Sequence, residues 1–200
     1  MQSVQRAWEV NGIKGAEKAR VLALYQMGHK IPAIAEQMQM TPDAVEAVIK
    51  EVAKRSRIVY VFADREEPAT VIDVCGLTRE VKITNLTDEM LSRAFGIKED
   101  PGWEDYEYFL ESRCMPRTRY GIREELKGIG LDFYDPFLIV QKTRGRVYED
   151  HQYLSRMDPE WIAQYDEIME TSKEDPERIK RLQKYLQASE GAWKLSEGQY

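Results

Sequence analysis

Two groups of basic side chains have the types and spacing to do chemistry in this sequence. The first lies within and just after three short helical patterns that end before residue 58. The second lies on both sides of two breaks in a later helical pattern. Loops that carry several arginines beside aromatic residues can hold phosphates or acidic partners, so this second group is a candidate binding site. The candidate contacts of this second group are Arg113, Arg117, Arg119, Lys142, Arg144 and Arg146. A second interpretation stays open, in which nearby carboxylates pair with these cations. Those carboxylates are Glu111, Glu124, Glu125, Glu149 and Asp150.

The motifs of common enzymes are missing from the sequence. It contains no G-x-x-x-x-G-K-[ST] or G-x-G-x-x-G phosphate loop and no G-x-S-x-G nucleophile elbow. Cys114 lies beside basic residues that would favour a thiolate, but a structural thiol at a helix end is the favoured interpretation. His29 and His151 have no Cys or His at metal-ligand spacing. The sequence therefore predicts a protein that is not an enzyme and needs neither cofactor nor metal.

Hydropathy and cysteine usage predict the compartment. No apolar run approaches the ~20 residues that cross a bilayer, and the first residues, MQSVQRAWEV, lack the apolar core of a secretory signal. Cys75 and Cys114 are far apart and form no C-x-x-C motif, which is typical of reduced thiols. We therefore expect a cytoplasmic protein with no membrane partner.

The net charge of −6 is unevenly distributed along the chain. Residues 1–57 hold nine basic and six acidic residues, a net charge of +3, so residues 58–200 carry −9. A mildly basic segment joined to an acidic body suits a small nucleic-acid-binding module attached to a domain that does not bind nucleic acid. The alternative interpretation is that the uneven distribution of charge arose by chance.

The spacing of apolar residues predicts three short helices before residue 58. The first begins at Ala16 and ends at Gly28, and the second runs through Ile31 to Met38 with a proline in its first turn. Thr41 is positioned to cap the third, where Pro42 takes the first helical position. These predictions define an N-terminal domain of residues 1–57.

The stretch "ARVLALYQMGHKIPAIAEQM", a short turn and "TPDAVEAVIKE" resemble the homeodomain-like helix-turn-helix of bacterial regulators, resolvases and transposase-type proteins. The resemblance covers about residues 16–54, and it implies that the third helix enters the DNA major groove. The implied groove-facing residues are Pro42, Asp43, Glu46, Ala47 and Lys50. The implied phosphate contacts are Lys18, Arg20, Lys30, Lys54, Arg55 and Arg57. The acidic residues depart from the family pattern, since carboxylates accept a base contact only from cytosine N4 and repel phosphates.

After Arg57 the hydrophobic period changes, and a body of residues 58–200 is predicted. The runs "IVYVFAD", "ATVIDVCG" and "REVKITN" indicate a small three-stranded antiparallel meander over residues 58–85. Helices are expected over residues 86–188, beginning with one from Leu86 to Phe95, and a frayed tail follows. The predicted fold class is α+β and mostly helical: a tri-helical helix-turn-helix, the meander and a helical body.

Three motifs stand out in the body: "FLESRCMPRTR", "GLDFYDPFLIVQKTRGR" and "EDHQYL". This part of the chain resembles short proteins of mobile elements in Firmicutes and, more distantly, the segment that precedes the kinase domain in HipA-like proteins. The resemblance implies a phage or mobile-element setting and no defined activity.

Two functions follow as hypotheses. The first is a DNA-binding transcriptional regulator of a phage or mobile element, which would bind double-stranded DNA and use its acidic body either to form a homodimer or to bind another protein. The second is a phage-encoded, anti-CRISPR-like inhibitor that occupies a basic nucleic-acid channel of a host effector nuclease. A purely structural module of a mobile-element complex is a third interpretation.

Overall fold

A computed structural model describes residues 13, 15–148, 150–171 and 176–197. Its chain divides into two compact units. Unit 1 comprises the residues up to Arg57 together with Cys75–Arg79, and unit 2 comprises Ile58–Val74 and the residues from Glu80 onward. The predicted boundary at residue 57 placed Cys75–Arg79 in the body. These residues follow that boundary along the chain, at the connection between two strands, so sequence position alone assigned them to the wrong unit.

The described part of unit 1 contains three helices: α1 (Gly15–Gln26), α2 (Ile31–Met38) and α3 (Pro42–Arg55). Each contributes one apolar stripe to a shared core, because its apolar residues recur at helical spacing. The buried members of this core are Val21, Leu24, Ile34, Ala35, Val45, Val48 and Ile49. Leu77 also packs against it.

The turn between α2 and α3 spans residues 39–41. Gln39 ends α2 in the left-handed conformation, with a φ of 54°, and its N–H donates to the carbonyls of Ala35 and Glu36. The Met40 N–H donates to the Ala35 carbonyl at 2.9 Å, so the last carbonyls of α2 are satisfied. The Thr41 hydroxyl accepts from the Ala44 N–H, which confirms the predicted cap of α3.

Unit 2 is built on a four-stranded antiparallel sheet. Its strands are β1 (Arg57–Asp64), β2 (Glu67–Cys75), β3 (Glu80–Asn85) and β4 (Gln152–Arg156), in the order β3-β2-β1-β4. In the β1–β4 pair, Tyr60 lies opposite Arg156 and Phe62 lies opposite Leu154. The α+β class and the three-stranded meander over residues 58–85 are therefore confirmed. The sheet also contains a fourth strand that was not predicted, because β4 adds to the free edge of β1.

The helices of unit 2 are α4 (Trp103–Ser112), α5 (Ile122–Gly128), α6 (Pro136–Thr143), α7 (Pro159–Thr171) and α8 (Pro176–Glu197). Alternate side chains of β1 face two separate cores, as the period of a strand requires. Tyr60 and Phe62 pack in a cluster with residues of α4, α5 and α6. Val59 and Val61 pack in a second cluster with residues of α7 and α8. The sheet is thus covered by helices on both faces.

The helix predicted from Leu86 to Phe95 is wrong, since only a 3₁₀ turn forms there, at Met90–Ser92. The Thr87 hydroxyl accepts from the Glu89 N–H, and the Arg93 guanidinium donates to the Thr87 carbonyl at 2.7 Å. These local bonds hold the segment in a turn, and Leu91 projects into solvent because no apolar face covers it.

The predicted frayed tail is wrong for residues 189–197, because α8 continues to Glu197. Ser189 and Glu190 are hydrogen-bonded to residues of β4 and of the segment after α6, and these bonds hold that part of the helix in place. Residues 198–200 lie outside the described part of the chain.

Candidate nucleic-acid interface

The predicted groove-facing residues share one side of α3. Asp43, Glu46, Lys50 and Lys54 are spaced by three or four positions, which aligns them along a helix. Asp43, Lys50 and Lys54 are exposed with Pro42, and Glu46 and Ala47 are half-buried. Val45, Val48 and Ile49 occupy the opposite side and are buried. The helix therefore offers solvent a face that is acidic in its first half and basic in its second.

Local ion pairs neutralise part of this face. Lys50 lies 2.6 Å from the carboxylate of Glu46, and Arg55 lies 3.0 Å from that of Glu51. Both pairs join residues four apart, and the exposed Glu46–Lys50 pair contributes only about 0.3–0.5 kcal/mol. An incoming phosphate or base edge can displace the Glu46 carboxylate at little cost. Glu51 is different, because its side chain is only 17% exposed and it also holds the buried Lys18.

Lys18 is not available to a phosphate. Its side chain is buried, with a residue exposure of 3%, and its ammonium lies 2.9 Å from the Glu51 carboxylate. The prediction that Lys18 contacts DNA is therefore wrong, because the packing of α1 against α3 places this lysine inside unit 1. Three other predicted phosphate contacts, Arg20, Lys30 and Lys54, are exposed, and Arg57 is half-buried and has a partner.

The arginines of unit 2 divide into buried and exposed sets. Arg113 is 6% exposed. It donates to the Gly145 carbonyl at 2.8 Å, to the Gln152 carbonyl at 2.9 Å and to both oxygens of Asp150. Burial acts to raise the pKa of Asp150, but hydrogen bonds from Arg113 and the Gln152 N–H, with the charge of Arg113, outweigh it and lower that pKa.

Arg144 and Arg146 are held by a shared carboxylate. Arg144 lies 2.8 Å from Glu190, and Arg146 lies 2.8 Å from the same oxygen. Both guanidiniums also stack over the ring of Tyr153, at 4.8 and 4.3 Å from its centroid. Burial lowers the pKa of Arg144, although Glu190 opposes the shift. The predicted phosphate contacts are wrong for Arg113 and Arg144, which instead fix the end of β4 and α8.

Arg117, Arg119 and Lys142 remain exposed. Arg119 lies 3.0 Å from Glu125, and the Arg117 guanidinium lies 4.6 Å from the centroid of the Tyr134 ring. Arg119 and Tyr148 line one cavity, and Tyr120 follows Arg119 in the chain. Both tyrosines are fully exposed, and neither was predicted as a site residue. A tyrosine next to basic residues was the only available signal, and its exposure could not be inferred from the pattern.

Groups considered for catalysis are poorly suited to it. Burial raises the pKa of the Cys114 thiol to about 12, and its Sγ donates to the Leu110 carbonyl. A thiol held protonated in this way is a weak nucleophile. Asp150, next to His151, is engaged by Arg113, and Glu149 lies outside the described residues. In the described ranges, no three His, Cys, Asp or Glu side chains are placed to hold a metal ion.

Comparison of this chain with known protein families, proteins and structures found no relative. No family model, curated protein or solved structure matches this chain. No helix in the described part of the chain has the length and apolar character to cross a bilayer. The resemblances drawn from sequence motifs therefore stay predictions.

Proposed function

We propose that this chain is a DNA-binding transcriptional regulator of a phage or mobile element, working in the cytoplasm. In this proposal α2, the turn at residues 39–41 and α3 form a homeodomain-like helix-turn-helix, and α3 docks in the major groove. The supporting observation is the polar, solvent-facing side of α3 opposite a buried stripe, behind a short turn with a left-handed first residue. With this arrangement, the side of α3 that would face the groove does not pack in the core of unit 1.

The acidic first half of α3 sets the expected base contacts. Asp43 and Glu46 can accept hydrogen bonds from cytosine N4, and Lys50 can donate to guanine O6 or N7. A cytosine–guanine step would therefore satisfy Glu46 and Lys50 together, replacing the ion pair that they form with each other. Arg20, Lys30 and Lys54 would contact phosphates.

One copy of unit 1 offers few free cations, so its affinity for DNA would be low. Two copies held by a homodimer would bind two half-sites about one DNA turn apart, and the second contact would gain from the high effective concentration. The acidic unit 2 is the part of the chain that we assign to dimerisation.

Selection from a random duplex pool tests the proposal. Full-length protein would be incubated with the pool at low and near-physiological salt, and the retained DNA sequenced. We expect a two-fold symmetric motif with cytosine–guanine steps.

Replacing Lys50 with Ala should weaken binding to that motif by about fivefold or more, as the loss of a base contact does. The matched control is Lys82→Ala, an exposed lysine on β3 with its own carboxylate partner 3.0 Å away. Retention without any motif would overturn specific recognition.

The second candidate function is the phage-encoded, anti-CRISPR-like inhibitor. The exposed carboxylates of α3 and the −9 charge of residues 58–200 favour it, because both would complement a basic nucleic-acid channel. An inhibitor would form a stable complex with a host nuclease, and neither Lys50→Ala nor Lys82→Ala would alter any DNA binding. A motif in the duplex selection would exclude this function for α3.

A further inference from the structure

Positive charge in unit 2 is concentrated in two stretches, residues 113–128 and 139–148. Together they hold eight basic and two acidic residues, a net charge of +6. The rest of residues 58–200 holds 12 basic and 27 acidic residues, a net charge of −15. Arg113, Arg144 and Arg146 are paired with Asp150 and Glu190, which lie outside these stretches. The exposed positive charge of the stretches is therefore carried by Arg117, Arg119, Arg123, Lys127 and Lys142. Exposed cations gathered on an otherwise acidic body would draw a polyanion to this place.

The fold brings these two stretches together. Arg113, at the start of the first, donates to the carbonyl of Gly145 in the second at 2.8 Å. A cavity of about 210 Å³ lies between them, and its lining includes Arg119, Thr143 and Tyr148. This volume is below the range of roughly 300–1,000 Å³ that holds a whole drug-sized ligand. It suits a phosphate group or one edge of a base.

Two tyrosines beside this cavity are fully exposed. Tyr120, which follows Arg119, has a relative exposure of 100%, and Tyr148, on the cavity wall, has 102%. An aromatic ring in water without packing partners gains nothing for the fold. With the guanidiniums of Arg117 and Arg119, these rings form what we call the Arg/Tyr surface: Arg117, Arg119, Tyr120 and Tyr148.

We propose that the Arg/Tyr surface binds single-stranded nucleic acid. Proteins that hold single strands combine cations along the backbone with aromatic rings on which successive bases stack. Tyr120 and Tyr148 would supply the stacking faces. Arg117 and Arg119 would contact phosphates by exchanging their carboxylate partners, Glu111 and Glu125, for phosphate oxygens, and exposed pairs of this kind are weak. A duplex hides its base faces, so it could use the arginines but not the tyrosines. This activity is separate from the duplex binding assigned to unit 1.

Binding of the full-length chain to short mixed-sequence single strands tests this inference. Labelled DNA and RNA oligonucleotides would be titrated at low salt and followed by fluorescence anisotropy. Replacing either Tyr120 or Tyr148 with Ser should lower the affinity by about fivefold or more, the usual cost of one lost base–aromatic stack. Arg119→Gln should also lower it and reduce its dependence on salt.

Matched variants separate stacking from charge. Tyr108→Ser changes a tyrosine of α4 that is 77% exposed but does not line the cavity, and Arg181→Gln changes an exposed arginine of α8. Both should leave binding unchanged. The inference is overturned if Tyr120→Ser and Tyr148→Ser behave like Tyr108→Ser. It is also overturned if labelled polyglutamate binds as tightly as the oligonucleotides and loses the same affinity in the tyrosine variants. The surface would then bind an acidic protein segment.

Discussion

Several separate contacts converge on Arg113, and its loss should be costly. Replacing it with Met would remove the partner of Asp150 and leave the carbonyls of Gly145 and Gln152 without their donor. Breaking a buried ion pair on one side usually costs about 3–5 kcal/mol. We expect a loss of that size in the free energy of unfolding, measured by urea denaturation. Arg123→Met, at an exposed site on α5, is the control and should stay within about 0.5 kcal/mol of the wild type.

The same pair makes stability depend on pH. The pKa of Asp150 is lower in the folded protein than in the unfolded chain, so its contribution is complete above the unfolded pKa of about 3.9. The contribution is lost as the pH falls through the lower, folded pKa and the carboxylate is protonated. Asp150→Asn should therefore be less stable than the wild type at neutral pH and should lose less stability between neutral pH and strong acid. Parallel stability curves for the two proteins would contradict this assignment.

At the scale of elements, the segment from α6 to β4 depends on one glycine. Gly145 has a φ of 60°, and a Cβ there would lie 2.7 Å from Leu154 Cδ1 and 3.1 Å from Arg113 Cβ. Gly145→Ala should therefore combine backbone strain with overpacking and cost about 1–3 kcal/mol. Gly128→Ala at the end of α5 is the matched control, because no atom lies within 4 Å of its added Cβ and its φ is ordinary. Equal melting temperatures for the two variants would show that the turn can relax around Gly145.

The elements that sequence could predict are those fixed by local rules. Thr41 and Pro42 mark the start of α3 through capping and proline geometry, and Pro159 and Pro176 mark α7 and α8 in the same way. β4 was not predicted, because its five residues, Gln152–Arg156, are too few to show a clear alternation of apolar and polar side chains. Their partner strand ends at Asp64, almost 90 residues earlier. Non-local pairing of this kind is decided by the sheet edge that the rest of the fold leaves open.

At the scale of the whole molecule, sequence gives the charges but not their partners. Lys18, Arg113 and Arg144 looked like phosphate ligands in a one-dimensional pattern, yet each is buried against a carboxylate from a distant part of the chain. The alternative in which carboxylates pair with the body arginines holds for five of them: Arg113, Arg117, Arg119, Arg144 and Arg146. The pairs of Arg117 and Arg119 are exposed, and the other three arginines are held in more buried pairs. Fewer of the predicted contacts therefore stay exposed: Arg20, Lys30, Lys50, Lys54 and Arg55 in unit 1, and Arg117, Arg119 and Lys142 in unit 2.

That smaller set limits how steeply duplex binding should respond to salt. If Arg20, Lys30 and Lys54 each neutralise one phosphate, the slope of log K against log salt should be about −3 for one copy of unit 1. A homodimer on two half-sites should then approach about −5, because the contacts are duplicated. Titrations on duplexes with one and with two copies of the selected motif would measure both slopes. Lys54→Gln should reduce the two-site slope by about 2, since one phosphate contact is lost in each copy. The same slope on both duplexes would mean that a single copy of unit 1 engages DNA and that unit 2 serves another purpose.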